Sequence, residues 1–254
     1  MDILSRFALT DRVAIVTGAS SGLGVHAAIG FAGAGADVVL VARRAEKLAD
    51  TRAQVEAAGR HCIVVPGDVA DPATSTEVVE ATMEQFGRVD ILLNNAGIGT
   101  AVPATHETPE QFRQVIDINL NGAYWMAQAC GRVMQPGSSI INVSSVLGFT
   151  TAGLPQAAYA SSKAGLVGLT RDLAAQWTGR KGIRVNAIAP GFFTSEMTAQ
   201  YPEGYLDTMM GARVLAGRKG EPEEFVAAAV YLASDASSYT TGITLPVDGG
   251  ILTT

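Results

Sequence analysis

Tyr159 and Lys163 stand four positions apart in the segment Tyr-Ala-Ser-Ser-Lys, within a stretch whose pattern predicts a helix. That offset puts a phenol and an ammonium on one helix face. A free tyrosine titrates near pH 10, and a cation ~4 Å away at an effective dielectric of ~20 is worth about 4 kcal/mol, or about 3 pKa units. A phenol shifted in this way can act as acid or base near neutral pH. An ordinary amphipathic helix also produces this spacing, so the pair needs companions. Ser144 and Ser145 close the predicted strand 139–143, where a serine hydroxyl can bond a substrate oxygen. Asn119, in Asp117-Ile118-Asn119-Leu120-Asn121-Gly122, is a poor helix former inside a predicted long helix, 109–133. Its amide can hold a water that relays protons from Lys163, or it marks a helix irregularity.

A second group of residues suits a nucleotide. The predicted first strand, 13–17, runs straight into Gly18-Ala19-Ser20-Ser21-Gly22-Leu23-Gly24 and then into a helix starting near Leu23. Glycines let the turn close tightly and let a pyrophosphate approach, while the helix N-terminus offers free N–H groups. Strand, glycine turn and helix in that order are the context of a dinucleotide site. Asp68-Val69 follows the third strand, at the edge where open α/β sheets bind ligands; Asp68 can accept from an adenine amino group or cap a turn. Asn94-Asn95-Ala96-Gly97 closes the fourth strand at the same edge.

These residues must be carried by short apolar strands alternating with longer helical patterns. The expected strands are 13–17, 38–42, 62–65, 91–93, 139–143, 183–188 and 244–247. Alternation of this kind predicts repeated βαβ units, hence a Rossmann-type doubly wound parallel sheet, an α/β fold. Asp71-Pro72 and Thr108-Pro109 place a cap residue before a helix-starting proline, and Thr108 with Gln111 predicts a capping box. Gly59 and Gly87 stand where helices should end. No linker or repeat interrupts the pattern, so residues 1–254 are expected to form one domain. The least regular stretch, 191–220, is long and rich in Met, Tyr and Gly, and is expected to cover the substrate. There Phe193, Met197, Tyr201, Tyr205 and Met209 are candidates for an apolar wall.

Composition removes other classes. The formal net charge is −6 and no basic run exceeds a pair, which argues against nucleic acid. Apolar runs fall far short of the ~20 residues that span a bilayer, so no membrane role and a cytoplasmic location are expected. The cysteines, Cys62 and Cys130, have neither metal nor disulfide spacing, and the histidines are scattered, so no metal is assigned.

Over essentially its whole length the sequence resembles the short-chain dehydrogenase/reductase family. The resemblance rests on Thr-Gly-x-x-x-Gly-x-Gly at 17–24, Asn-Asn-Ala-Gly at 94–97, Tyr159 with Lys163, Pro190-Gly191, and Asp248-Gly249-Gly250. It implies an NAD(P)-dependent oxidoreductase with the catalytic set Asn119, Ser145, Tyr159 and Lys163. Ser145 is chosen over Ser144 because the small apolar segment Val146-Leu147-Gly148 follows it. The resemblance further implies cofactor contacts from Gly18, Ser20, Ser21, Gly22, Leu23, Gly24, Asp68, Val69, Asn95, Ala96, Gly97, Tyr159, Lys163, Pro190, Gly191 and Thr194.

An NAD site of this kind wants a carboxylate at the end of the second strand, where Ala42 stands, and Arg43 follows with a guanidinium suited to a 2′-phosphate. NADP(H) is therefore expected over NAD(H), although Ser21 occupies a turn position at which many NADP-using relatives carry a second basic residue. After the Asn-Ala-Gly motif, residues 98–103 resemble polyol, sugar-acid and secondary-alcohol dehydrogenases; a 3-oxoacyl-thioester reductase is the alternative, and a non-catalytic nucleotide-binding scaffold a remote one. Relatives of this kind form homotetramers or homodimers through helices about 109–133 and 156–179, where Tyr124, Trp125 and Met126 suit a contact face.

Overall fold

The β-branched and apolar runs between glycine and proline punctuation form seven parallel strands: β1 (Val13–Thr17), β2 (Asp37–Ala42), β3 (Cys62–Pro66), β4 (Ile91–Asn94), β5 (Ser139–Val143), β6 (Arg184–Pro190) and β7 (Thr244–Val247). The computed structural model describes residues 2–194 and 204–254. The strands lie in the order β3-β2-β1-β4-β5-β6-β7, so the chain reverses its direction of travel across the sheet between β1 and β4. Open α/β sheets bind ligands outside the carboxyl ends of the strands at such a reversal.

The helices are α1 (Gly22–Gly33), α2 (Ala45–Ala57), α3 (Pro72–Phe86), α4 (Pro109–Ile116), α5 (Gly122–Val133), α6 (Ala157–Lys181), α7 (Tyr205–Arg213) and α8 (Pro222–Ala233). Phe31, Leu48 and Phe225 bring α1, α2 and α8 onto one sheet face. Val78, Met126 and Leu173 bring α3, α5 and α6 onto the other. Both faces are thus covered, as an all-parallel sheet requires. A third apolar cluster, including Leu147, Tyr159, Phe192 and Met209, closes the carboxyl end. Helix starts follow local chemistry: Asp71 accepts from the Ala73 N–H at 2.9 Å, and Thr108 and Gln111 cap each other's backbone. Gly87 ends α3 with φ 72°, and Gly59 follows α2 with φ 79°.

Four expectations need correction. The long helix 109–133 is interrupted by a π-turn, Asp117–Asn121, in which the Gly122 N–H reaches back to the Asp117 carbonyl. Residues 191–220 are not one irregular connection, because α7 forms within them. Phe193 is not part of a substrate wall alone: it is buried in the main core with its ring 6.3 Å from that of Phe225. Met197 and Tyr201 lie outside the described residues. The sixth strand begins at Arg184 rather than residue 183 and continues to Pro190, because β7 pairs alongside Ala189 and Pro190.

The π-turn ends against the β3–α3 loop, where a β-carbon on Gly122 would sit 2.8 Å from the Val69 carbonyl oxygen. Gly122→Ala should therefore destabilise the fold by ~1–3 kcal/mol through overpacking. Gly179→Ala, in α6 with nothing within 4 Å, should stabilise by ~0.5–1 kcal/mol. Thermal melts of the two variants read the opposite signs; a stabilised Gly122→Ala contradicts the packing described.

Candidate active site

The carboxyl ends of β1, β4 and β5 and the first turns of α6 border a cleft of about 500 Å³. Lys163 is 4% exposed, and its Nζ donates to the Val143 carbonyl at 2.7 Å. Burial pushes its pKa down to about 8. The Nζ lies 5.6 Å from the centroid of the Tyr159 ring, so the ammonium is held beside the ring face. Two contacts fix this helix to the end of β5. The Ser144 hydroxyl donates to the Lys163 carbonyl at 2.8 Å, and Gly148 packs so closely that a β-carbon there would meet that carbonyl at 3.0 Å. Ser144 is thus committed to the scaffold.

Ser145 points differently. Its oxygen accepts from the Leu147 N–H at 3.1 Å, capping the short 3₁₀ turn Val146–Gly148, and its hydroxyl proton has no acceptor among the described residues. Ser145, Tyr159 and Lys163 all line the cleft.

Asn119 is brought in by the π-turn, whose extra residue turns this polar side chain inward. Its Oδ1 accepts from the Ile98 N–H at 2.9 Å, while its Nδ2 donates to the Ile98 carbonyl at 2.9 Å and to the Ser162 hydroxyl at 3.0 Å. A β-carbon on Gly97 would lie 3.3 Å from that Oδ1 and 3.4 Å from the Lys163 Nζ, so the two side chains flank the same glycine. An amide oxygen has two lone pairs, and one remains for a water on the Lys163 side.

The glycine turn is shaped for close approach. Gly18 and Gly22 have φ of 68° and 57°, which other residues adopt only under strain. A β-carbon on Gly24 would fall 2.3 Å from the Gly18 carbonyl oxygen. Asn95 acts from behind the turn: its Nδ2 donates to the carbonyls of Thr17 at 3.0 Å and Gly18 at 3.3 Å. The Asn95 and Ala96 N–H groups both donate to the Thr17 hydroxyl. The N-cap of α1, Ser21, makes no side-chain cap bond, so the first-turn N–H groups of α1 stay available beside the cleft. These features fit a pyrophosphate.

At the nucleotide end, Asp68 caps the Ala70 N–H at 3.0 Å, and its other oxygen is 3.7 Å from Arg43. Arg44, which follows Arg43 directly, donates to the hydroxyls of Ser20 at 3.1 Å and Ser21 at 2.9 Å. It supplies from the end of β2 the positive charge that the turn lacks at Ser21. The signal was the arginine pair itself, but only the fold brings it to the turn.

Ser20, Gly22, Leu23, Val69, Ala96 and Pro190 also border the cleft, whereas Gly24 closes the turn beneath it. Gly191 meets the Asp248 backbone, where a β-carbon would lie 2.7 Å from Cα, so the two late motifs pack on each other. Thr194 is exposed and borders the residues outside description. Among the described residues no cluster of His, Cys, Asp or Glu is placed to hold a metal, and no helix is long and apolar enough to cross a membrane.

A family model described as enoyl-(acyl carrier protein) reductase matches residues 18–252. The chain is 40% identical over 256 residues to galactitol 2-dehydrogenase (L-tagatose-forming) of Cereibacter sphaeroides, covering 98% of each chain. It is 38% identical over 247 residues to a 3-oxoacyl-(acyl-carrier-protein) reductase of Thermotoga maritima, covering 96% of this chain and 99% of the relative. Among solved structures, the NADP active-site complex of Pseudomonas aeruginosa RhlG superposes with a TM-score of 0.91 at 35% identity, covering 98% of this chain and 99% of that one.

The buried lysine has a thermodynamic signature. Its folded pKa of about 8 lies below the unfolded value of 10.5, so between those values the unfolded chain binds more protons and stability rises with pH. Relative to Lys163→Met, the wild type should gain up to about 3 kcal/mol between pH 8 and 10.5. Denaturant melts of both proteins across that range measure it; parallel pH profiles contradict the assigned burial.

Proposed function

This chain belongs to the short-chain dehydrogenase/reductase family, and we propose that in it the protein is an NADP(H)-linked oxidoreductase of polyols, sugar acids or related secondary alcohols. It is an enzyme of CH–OH groups. The observation that carries the proposal is the Tyr159 phenol in the cleft, backed by a buried ammonium that is anchored on the Val143 carbonyl and sits beside Gly97.

In this reading Tyr159 donates a proton to the carbonyl oxygen in reduction and removes it from the alcohol in oxidation. Ser145 bonds the same oxygen with the hydroxyl proton that no described residue accepts. Lys163 favours the tyrosinate by its charge, and Asn119 holds the Ile98 backbone while keeping one lone pair for a relay water. A dinucleotide would be held by the Gly18–Gly24 turn and the Asn95–Gly97 strand end, and would supply the hydride chemistry. Protein groups provide orientation and electrostatics for that step.

The substrate class follows from the galactitol dehydrogenase likeness and from residues 98–103. The Thermotoga maritima relative keeps 3-oxoacyl thioesters as the second reading. Residues 1–254 act as one catalytic domain, with 191–220 around the substrate. We also place the protein in the cytoplasm as a homotetramer built through α4–α5 and α6. The half-buried ring pair Tyr124 and Trp125, with centroids 5.1 Å apart, supports that contact face, whereas Met126 is fully buried in the core.

Tyr159→Phe should leave cofactor binding within a few-fold of wild type and reduce turnover by ~10²–10⁴-fold. Near-normal turnover contradicts the assignment. With both cofactors tested on galactitol and on a 3-oxoacyl thioester, wild type should favour NADP and the polyol. Arg44→Leu should reduce kcat/KM with NADP by ~10-fold or more and change that with NAD little, since one charge-assisted hydrogen bond is worth ~1.5–3 kcal/mol. Equal losses with both cofactors would show that Arg44 supports only the turn.

A further inference from the structure

Leu48, Thr51 and Val55 form the buried stripe of α2. A threonine in the middle of that stripe is a poor helix former, and it carries into the core a hydroxyl that needs an acceptor. Thr51 is 1% exposed, and its Oγ1 donates to the Ala19 carbonyl at 2.9 Å, with the Lys47 carbonyl of its own helix farther off at 3.3 Å. Ala19 follows Gly18 in the glycine turn and is fully buried. The proton-transfer chemistry makes no use of this bond.

Ala19 is held from two sides. Its N–H donates to the Val41 carbonyl on β2 at 3.3 Å, and its carbonyl accepts from Thr51 on α2. Between those two ties the chain leaves β2 and passes through Arg43 and Arg44 into α2. The arginine pair is therefore spanned by a strand and a helix that both bond one residue of the turn. Arg44 is the N-cap of α2 and stands seven positions before Thr51, two helical turns or ~10 Å along the axis. Its guanidinium reaches the hydroxyls of Ser20 at 3.1 Å and Ser21 at 2.9 Å. With the Asn95 bonds to the carbonyls of Thr17 and Gly18, every residue from 17 to 21 receives a bond from outside the turn. A helix is rigid over two turns, so the way Thr51 seats on Ala19 sets where the Arg44 end of α2 stands.

We propose that Thr51 is a positioning residue for cofactor selection: its bond to Ala19 seats α2 on the glycine turn and so holds the Arg44 guanidinium in place for the 2′-phosphate of NADP(H). This rests on the NADP(H) reading above and deepens it. Thr51 touches no ligand and acts only through the turn and Arg44. Loss of its hydroxyl weakens NADP(H) more than NAD(H), because only the former carries the charge that Arg44 answers.

The test uses Thr51→Val and Thr51→Ala, which both remove the hydroxyl, the first at nearly equal volume, and Thr51→Ser, which keeps it. NADPH and NADH are titrated onto each variant by their fluorescence, well below its melting temperature. In Thr51→Val and Thr51→Ala the NADPH to NADH affinity ratio should fall about 2- to 10-fold relative to wild type, the scale of one hydrogen bond, and Thr51→Ser should restore it. In an Arg44→Leu background, Thr51→Val should leave the ratio unchanged, since the group it positions is gone. An unchanged ratio in the single variants overturns the proposal. So does parallel weakening of both cofactors, which marks a residue that only supports the fold, and so does a further fall of the ratio in the Arg44→Leu background. Because the ratio is read against wild type, it decides the role of Thr51 whatever the absolute preference; a wild type that favours NADH fails the NADP(H) reading alone.

Discussion

A buried lysine ammonium at the carboxyl edge of the sheet has to be answered by something polar, and here the Val143 carbonyl does so at 2.7 Å. A carbonyl in mid-strand would be spent on the β-ladder, whereas the last residue of β5 has one to offer. For the helix bearing Lys163 to come this close, its neighbours must be small or bonded to it. Gly97 and Gly148 leave no room for side chains, and Ser144 ties the helix backbone to the strand end. The π-turn in the helix before β5 admits Asn119 on the remaining side. Charge burial thereby accounts for glycine positions and a serine orientation that no single motif explains.

The polar residues of the family motifs do much of their work on the protein itself. Asn95 holds the glycine turn, Asn119 holds Ile98, and Asp248 caps the N–H groups of Gly250 at 2.9 Å and Leu252 at 3.0 Å. Deeper still, Asn94 bonds Asn142, which bonds Thr170 on α6, so a polar thread runs from β4 through β5 into the helix that carries the reacting groups. Buried networks of this kind are costly when incomplete and rigid when satisfied. The Asn94 Oδ1 has no partner among the described residues, so the thread is only partly satisfied, yet it ties two strand ends to α6 beneath the cleft.

Most strand positions, the parallel sheet and the helix caps at Asp71 and Thr108 were legible in the sequence, because period, propensity and turn residues agreed there. The choice of Ser145 over Ser144 rests on resemblance, and the structure adds that the Ser144 hydroxyl is bonded to the Lys163 carbonyl. Other features were not legible. A π-turn needs a tertiary reason to form, here the Val69 loop against Gly122, and no local pattern announces it. The place of Arg44 depends on serine partners in another turn, and Phe193 looked like a substrate wall because its partner, Phe225, lies on a distant helix.

The central claim is that the cleft aligns a secondary alcohol for direct hydride exchange with a nicotinamide while Tyr159 handles the proton. Reduction of the matching ketone with NADPH carrying deuterium at nicotinamide C4, followed by NMR of the product, tests it most directly. The account predicts deuterium on the carbinol carbon from one face of the nicotinamide and none at that carbon from deuterated solvent. A carbinol hydrogen drawn from solvent, or no transfer from either face, contradicts it.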